Sequence, residues 1–178
     1  QKFDLFERSY NATNGAPDTE GEDNGRGKID FSLIKAADSS TLVSVLISRM
    51  DAAFPAYTFM HIFDPDSAGH ASNWGSLNWV LSVKHSDSLI GLILSALDLR
   101  PELKAVTALV ITADHGGGVP ARLHDNAAAL ENIVIPLMIR GPGVPAGADA
   151  YSLFANRHDP GTSRPENDAP RPPQRNGD

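Results

Sequence analysis

Residues 107–112 constrain this chain more than any others. Ala108, Leu109, Val110 and Ile111 form a short unbroken apolar run between Thr107 and Thr112, the pattern of a strand covered on both faces. Helical signals precede it. Val80, Val83, Ile90, Leu94 and Leu97 fall on one 3-4 stripe, and Pro101 stops that helix just after Arg100. Asp87 lies on the same stripe and is expected to cap or bond a buried group. An earlier helix is predicted from about Thr41 to Ala53, capped by Ser39 or Ser40, with Leu42, Val45, Leu46 and Met50 on one side. Residues 2–6, 57–63 and 133–139 read as further strands, the second ended by Asp64-Pro65 and the third closed by Gly141-Pro142-Gly143. Strands alternating with helices predict a layered α/β fold, with a largely parallel sheet and helices on both faces.

Two stretches contribute little to a core. Residues 11–28 form a long polar loop rich in glycine and carboxylates, and residues 156–178 form a Pro-rich irregular tail. The remainder of the 178 residues is enough for one ordinary domain. Fifteen Lys and Arg against 22 Asp and Glu leave a net charge of −7. That balance argues against a nucleic-acid-binding surface and suits a surface that concentrates cations. No run approaches the ~18 apolar residues of a membrane span, because Ser, Asp, Lys or Gly interrupt the longest segments. The chain opens on Gln1, without a start Met or signal segment, and is expected to be a processed product or a piece of a longer one.

Chemistry gathers at two expected strand ends. One carries Asp64-Pro65-Asp66-Ser67-Ala68-Gly69-His70, and the other carries Ala113-Asp114-His115-Gly116-Gly117-Gly118. In open α/β sheets, ligands collect at the carboxyl ends of strands. Carboxylate with imidazole is the ligand set of zinc, manganese or iron, and the absence of cysteine leaves His and Asp as the strong ligands. His124 follows closely enough for its loop to fold back over the same strand ends. Asp64-x-Asp66 faintly suggests a calcium loop, but Gly75 stands where its bidentate Glu belongs. The triple glycine lacks the Lys-Ser/Thr of a phosphate loop and reads instead as backbone passing close to the site. His61, inside a predicted strand, reads as a hydrogen-bonded core histidine.

These residues resemble the alkaline phosphatase superfamily, in particular its bacterial branch similar to nucleotide pyrophosphatases/phosphodiesterases. The resemblance rests on His61 through His70, Trp74-Gly75-Ser76, Val110 through Gly117, His124-Asp125 and Ile135-Pro136-Leu137. It implies an alkaline phosphatase-like α/β fold, incomplete in this chain, and a metal-dependent hydrolase of phosphoric esters (diesters or monoesters). It also implies two divalent ions in the complete family enzyme, zinc foremost, with manganese or iron as alternatives. Asp66, His70 and His124 would hold the first ion, and Asp114 and His115 the second. The family's Thr or Ser nucleophile and an early Asp ligand have no counterpart here, so no catalytic residue is assigned. The chain alone is therefore expected to be inactive, as the carboxyl-terminal portion of an enzyme or a truncation of it. The alternative is a non-catalytic metal-binding fragment or pseudoenzyme. The implied partner is a small phosphate ester, and the implied location is periplasmic or secreted.

Overall fold

The helix ending before Pro101 anchors the rest. In a computed structural model of the chain, which describes residues 29–34, 38–52 and 54–153, it spans Leu77–Asp98. Ser76 caps it by accepting the Trp79 N–H at 3.2 Å. The chain divides into two compact units, Gln1–Asp38 and Ser39–Asp178. In the first, the described residues form neither helix nor strand. In the second, the order is α1 (Ser39–Ala52), α2 (Asp64–Ser72), α3 (Leu77–Asp98), α4 (Pro101–Lys104), β1 (Leu109–Thr112), α5 (Leu130–Ile133), β2 (Leu137–Arg140) and α6 (Ala150–Leu153). The predicted strand at 2–6, the polar loop at 11–28 and the tail at 156–178 lie outside the described residues.

The core is helical. Val43 and Met50 of α1 meet Leu89, Ile93, Ala96 and Leu97 of α3, with Leu46, Ile47, Phe54, Met60 and Leu103 packed around them. The buried face of α3 therefore runs through Ser86, Leu89, Ile93, Ala96 and Leu97. This corrects the predicted stripe, since Val83 is exposed and Asp87 lies on the solvent side. Apolar residues also lie on the exposed side of the helix, at Leu77, Leu81, Val83 and Leu92, so periodicity alone selects no unique face, and the α1 contact decides it. By length and composition α3 could cross a membrane, with a mean hydropathy of 1.3 across its most apolar stretch. Five of its residues are nevertheless buried in the protein core.

The sheet also departs from expectation. The pair β1 and β2 is antiparallel, with Leu109 opposite Arg140 and Thr112 opposite Leu137. A parallel pair needs a crossover that carries the chain back to the starting end of the first strand. Here residues 113–136 leave β1 at Thr112 and return beside it, and Thr112 Oγ1 donates to the Pro136 carbonyl at 2.9 Å. The described residues thus form a mixed helical and two-stranded arrangement. Residues 57–63 are irregular where a strand was predicted, and His61 is exposed where a core histidine was expected. The predicted strand at 133–139 is confined to its second half. Its first residue, Ile133, ends the single turn α5.

Candidate metal centre

The segment expected to be a loop, 64–70, is helical. Pro65 sits in the first turn of α2, and Asp64 and Asp66 place negative charge at its N-terminus, where the unpaired N–H groups favour it. The buried Ser39 hydroxyl donates to Asp64 Oδ2, tying the starts of α1 and α2 together. In helical form Asp66 and His70 stand four residues apart and therefore on one face. His70 Nε2 lies 3.4 Å from Asp66 Oδ1.

The excursion from β1 brings the other imidazoles to this face. Asp66, His70 and His124 offer ligand atoms that all lie within 4.8 Å of one another. His115 joins them, with Nε2 3.8 Å from Asp66 Oδ1 and its ring stacked on that of His124 at 3.9 Å. Asp114 Oδ2 is 3.7 Å from His115 Nε2, on a side chain 58% exposed. The structure therefore groups Asp66, His70 and His124 closely. His115 lies beside them, and Asp114 sits at the solvent edge.

Proton positions follow from the neighbours. His70 Nδ1 is 2.7 Å from the Arg122 carbonyl, and His115 Nδ1 is 2.7 Å from the Gly116 carbonyl. A carbonyl only accepts, so both rings carry the proton on Nδ1 and, when neutral, present an Nε2 lone pair. Those lone pairs face Asp66 Oδ1, which is buried and has no hydrogen-bond partner. Lone pairs converging on an orphaned carboxylate oxygen repel unless a cation stands between them. Two ligands of one tetrahedral zinc ion, with bonds of about 2.1 Å, lie roughly 3.4 Å apart. The donor set fits a divalent ion.

Sequence reasoning missed what frames this centre. Trp74 stands edge-on to His70, with ring centroids 5.2 Å apart, and 6.2 Å from His124. A Cβ on Gly69 would come within 2.6 Å of the indole, and one on Gly117 within 2.2 Å. The glycines are there to admit Trp74. The reading of Gly116–Gly118 as backbone passing close by acquires a partner in the same way: a Cβ on Gly116 would meet the Glu131 carbonyl at 2.0 Å. Asn132, 3% exposed, braces the excursion. It accepts from Val119 N at 3.2 Å, donates to the Asn126 carbonyl at 3.0 Å, and also donates to the Val119 carbonyl. The only foreseeable signal was the Trp74 text already matched with the family; no spacing pointed to Asn132. His85 lies elsewhere, 3.4 Å from Ser40 Oγ.

Asp66 and His70 on α2 and His124 on the excursion beyond β1 form a group that could hold a metal ion. Residues 5–146 match the family described as type I phosphodiesterase / nucleotide pyrophosphatase, and the chain belongs to that family. This agrees with the alkaline phosphatase superfamily resemblance. No curated protein and no solved structure matches the chain.

Proposed function

We propose that this chain carries the metal-binding part of a hydrolase of phosphoric esters, with Asp66, His70 and His124 as ligands of one divalent ion. The observation that carries the reading is that ligand atoms of these three side chains lie within 4.8 Å of one another, beside a buried Asp66 Oδ1 that has no hydrogen-bond partner, in a chain of the phosphodiesterase family. When bound, such an ion supplies Lewis-acid neutralisation of phosphoryl oxygens and lowers the pKa of an attacking hydroxyl. The protein's own residues prepare that chemistry. His70 and His115 keep their Nδ1 protons on backbone carbonyls, which fixes both rings and directs Nε2 into the site. Trp74 packs edge-on against His70, and the exposed Asp114 leaves the site accessible to a small phosphate ester.

Asp114 and His115 supply a second position of two ligand groups. Among the described residues one group of three ligands forms, which favours one firmly held ion and a second held weakly. The layered alkaline phosphatase-like sheet, zinc as the metal, and a periplasmic or secreted location belong to the same reading and rest on the resemblance. The uneven ligand supply also favours a second reading, metal binding without turnover.

The test combines zinc retained after dialysis with hydrolysis of bis(p-nitrophenyl) phosphate, for the chain and for His70→Ala. One retained zinc per chain, lost in H70A, is the expected result. Zinc without turnover fits both readings, because the chain alone is expected to be inactive, whereas turnover abolished by H70A selects the hydrolase and overturns that expectation. No zinc in the unmutated chain overturns both.

A further inference from the structure

Two non-glycine residues among those described have positive φ, Asn73 at 77° and Arg122 at 63°, and they hold each other. Asn73 Oδ1 accepts the Arg122 N–H at 3.0 Å, and the Arg122 carbonyl accepts the His70 Nδ1 proton at 2.7 Å. Asn73 ends α2 with φ 77° and ψ 147°, a backbone region that essentially only glycine enters freely. If residue 73 merely turned the chain, glycine would serve without strain. An asparagine there adds one thing glycine lacks, a side-chain acceptor, and that acceptor is engaged. Both strained residues belong to one chain of hydrogen bonds that ends on a ligand imidazole.

We propose that Asn73 is a positioning residue for the metal site. By clasping the Arg122 N–H, it aims the Arg122 carbonyl at His70 Nδ1. That holds the proton on Nδ1 and keeps the Nε2 lone pair toward Asp66 Oδ1. The same clasp anchors the segment that carries His124 two residues further on, so it couples one ligand on α2 to another on the excursion. The inference deepens the proposed function and rests on that reading for the use of the ion, while the clasp itself stands on the geometry.

The experiment compares the full chain with Asn73→Gly and Asn73→Asp. Zinc affinity is read by competition with a chromogenic chelator, stability by urea unfolding, and the His70 tautomer by imidazole nitrogen NMR without metal. N73G is expected to be at least as stable as the unmutated chain, since its backbone strain is relieved. It is nevertheless expected to bind zinc about tenfold more weakly, the low end of the loss when a hydrogen-bond partner of a metal ligand goes, because Asn73 acts on His70 through the Arg122 carbonyl, and to show mixed His70 tautomers. N73D keeps an acceptor oxygen and is expected to restore both readouts. A merely structural residue would move stability instead. N73G with zinc affinity within twofold of the unmutated chain and an unchanged tautomer overturns the inference alone. An unmutated chain that binds no zinc overturns the proposed function, and the tautomer comparison then still decides the clasp. Should N73G not fold, amide exchange in the unmutated chain decides: a rapidly exchanging Arg122 amide overturns the clasp.

Discussion

Gly117→Ala should damage this protein through one contact. The new Cβ would sit 2.2 Å from Trp74 Cε2, with Cζ2 at 2.5 Å and Cδ2 at 2.6 Å. Ordinary contact begins near 3.4 Å, so the indole must retreat by about 1.2 Å. It has little freedom to do so, because Gly69 of α2 already faces the same three ring atoms at 2.6–2.7 Å by the same measure. Gly117 is not in the left-handed region, so the cost is steric rather than a backbone penalty. Overpacking of this kind costs about 1–3 kcal/mol. Trp74 also stands edge-on to His70, and metal–ligand distances tolerate only ~0.2 Å of error. A shift of this size should therefore weaken zinc binding by at least tenfold. Gly91→Ala is the control: it lies within α3 with nothing within 4 Å of a new Cβ, and it should gain about 0.5–1 kcal/mol from helix propensity. Urea unfolding and zinc competition on both variants make the comparison. A G117A chain with the midpoint and zinc affinity of the unmutated protein would refute the wedge between Trp74 and the ligands.

Three further outcomes are expected. His124→Ala should lose zinc as H70A does while keeping the helical core, because His124 lies outside the α1–α3 cluster; elemental analysis with circular dichroism checks both. Asn132→Ala should destabilise the chain by roughly 1–3 kcal/mol in all, since the part-buried N–H and carbonyl of Val119 are left unpaired, read as a shift in the urea midpoint. The third concerns Asp98, whose carboxyl is held below its usual value of 3.8 by hydrogen bonding to Lys104 first and to Arg140 second. A depressed carboxylate pKa contributes stability that is present above 3.8 and lost as pH falls through the lowered value. Asp98→Asn should therefore be the less stable chain at neutral pH, by a small amount befitting an exposed pair. The difference should close in acid, and one that grows on acidification would contradict the assignment.

What the sequence determined by itself is local. A strand within the apolar run at 107–112, the helix stopped before Pro101 and the Asp and His donors at 66, 70, 114, 115 and 124 were legible, because strand propensity, helix periodicity and donor chemistry depend on residues near in sequence, although β1 exposes Val110 instead of being covered on both faces. Even the helix at 64–72 had a readable start in Asp64-Pro65-Asp66, but the expectation of a strand end there hid it. Tertiary structure decided the rest. The direction of β2 follows from where the excursion at 113–136 returns, and the buried face of α3 from where α1 lies against it. The tautomers of His70 and His115 follow from which carbonyls reach Nδ1. Trp74 needs Gly69 and Gly117, one on α2 and the other beyond β1, to leave it room, and Asn73 finds its partner 49 residues away at Arg122. Contacts of that range depend on how separate segments pack, and no local pattern of spacing or propensity encodes which distant backbone group a side chain will meet.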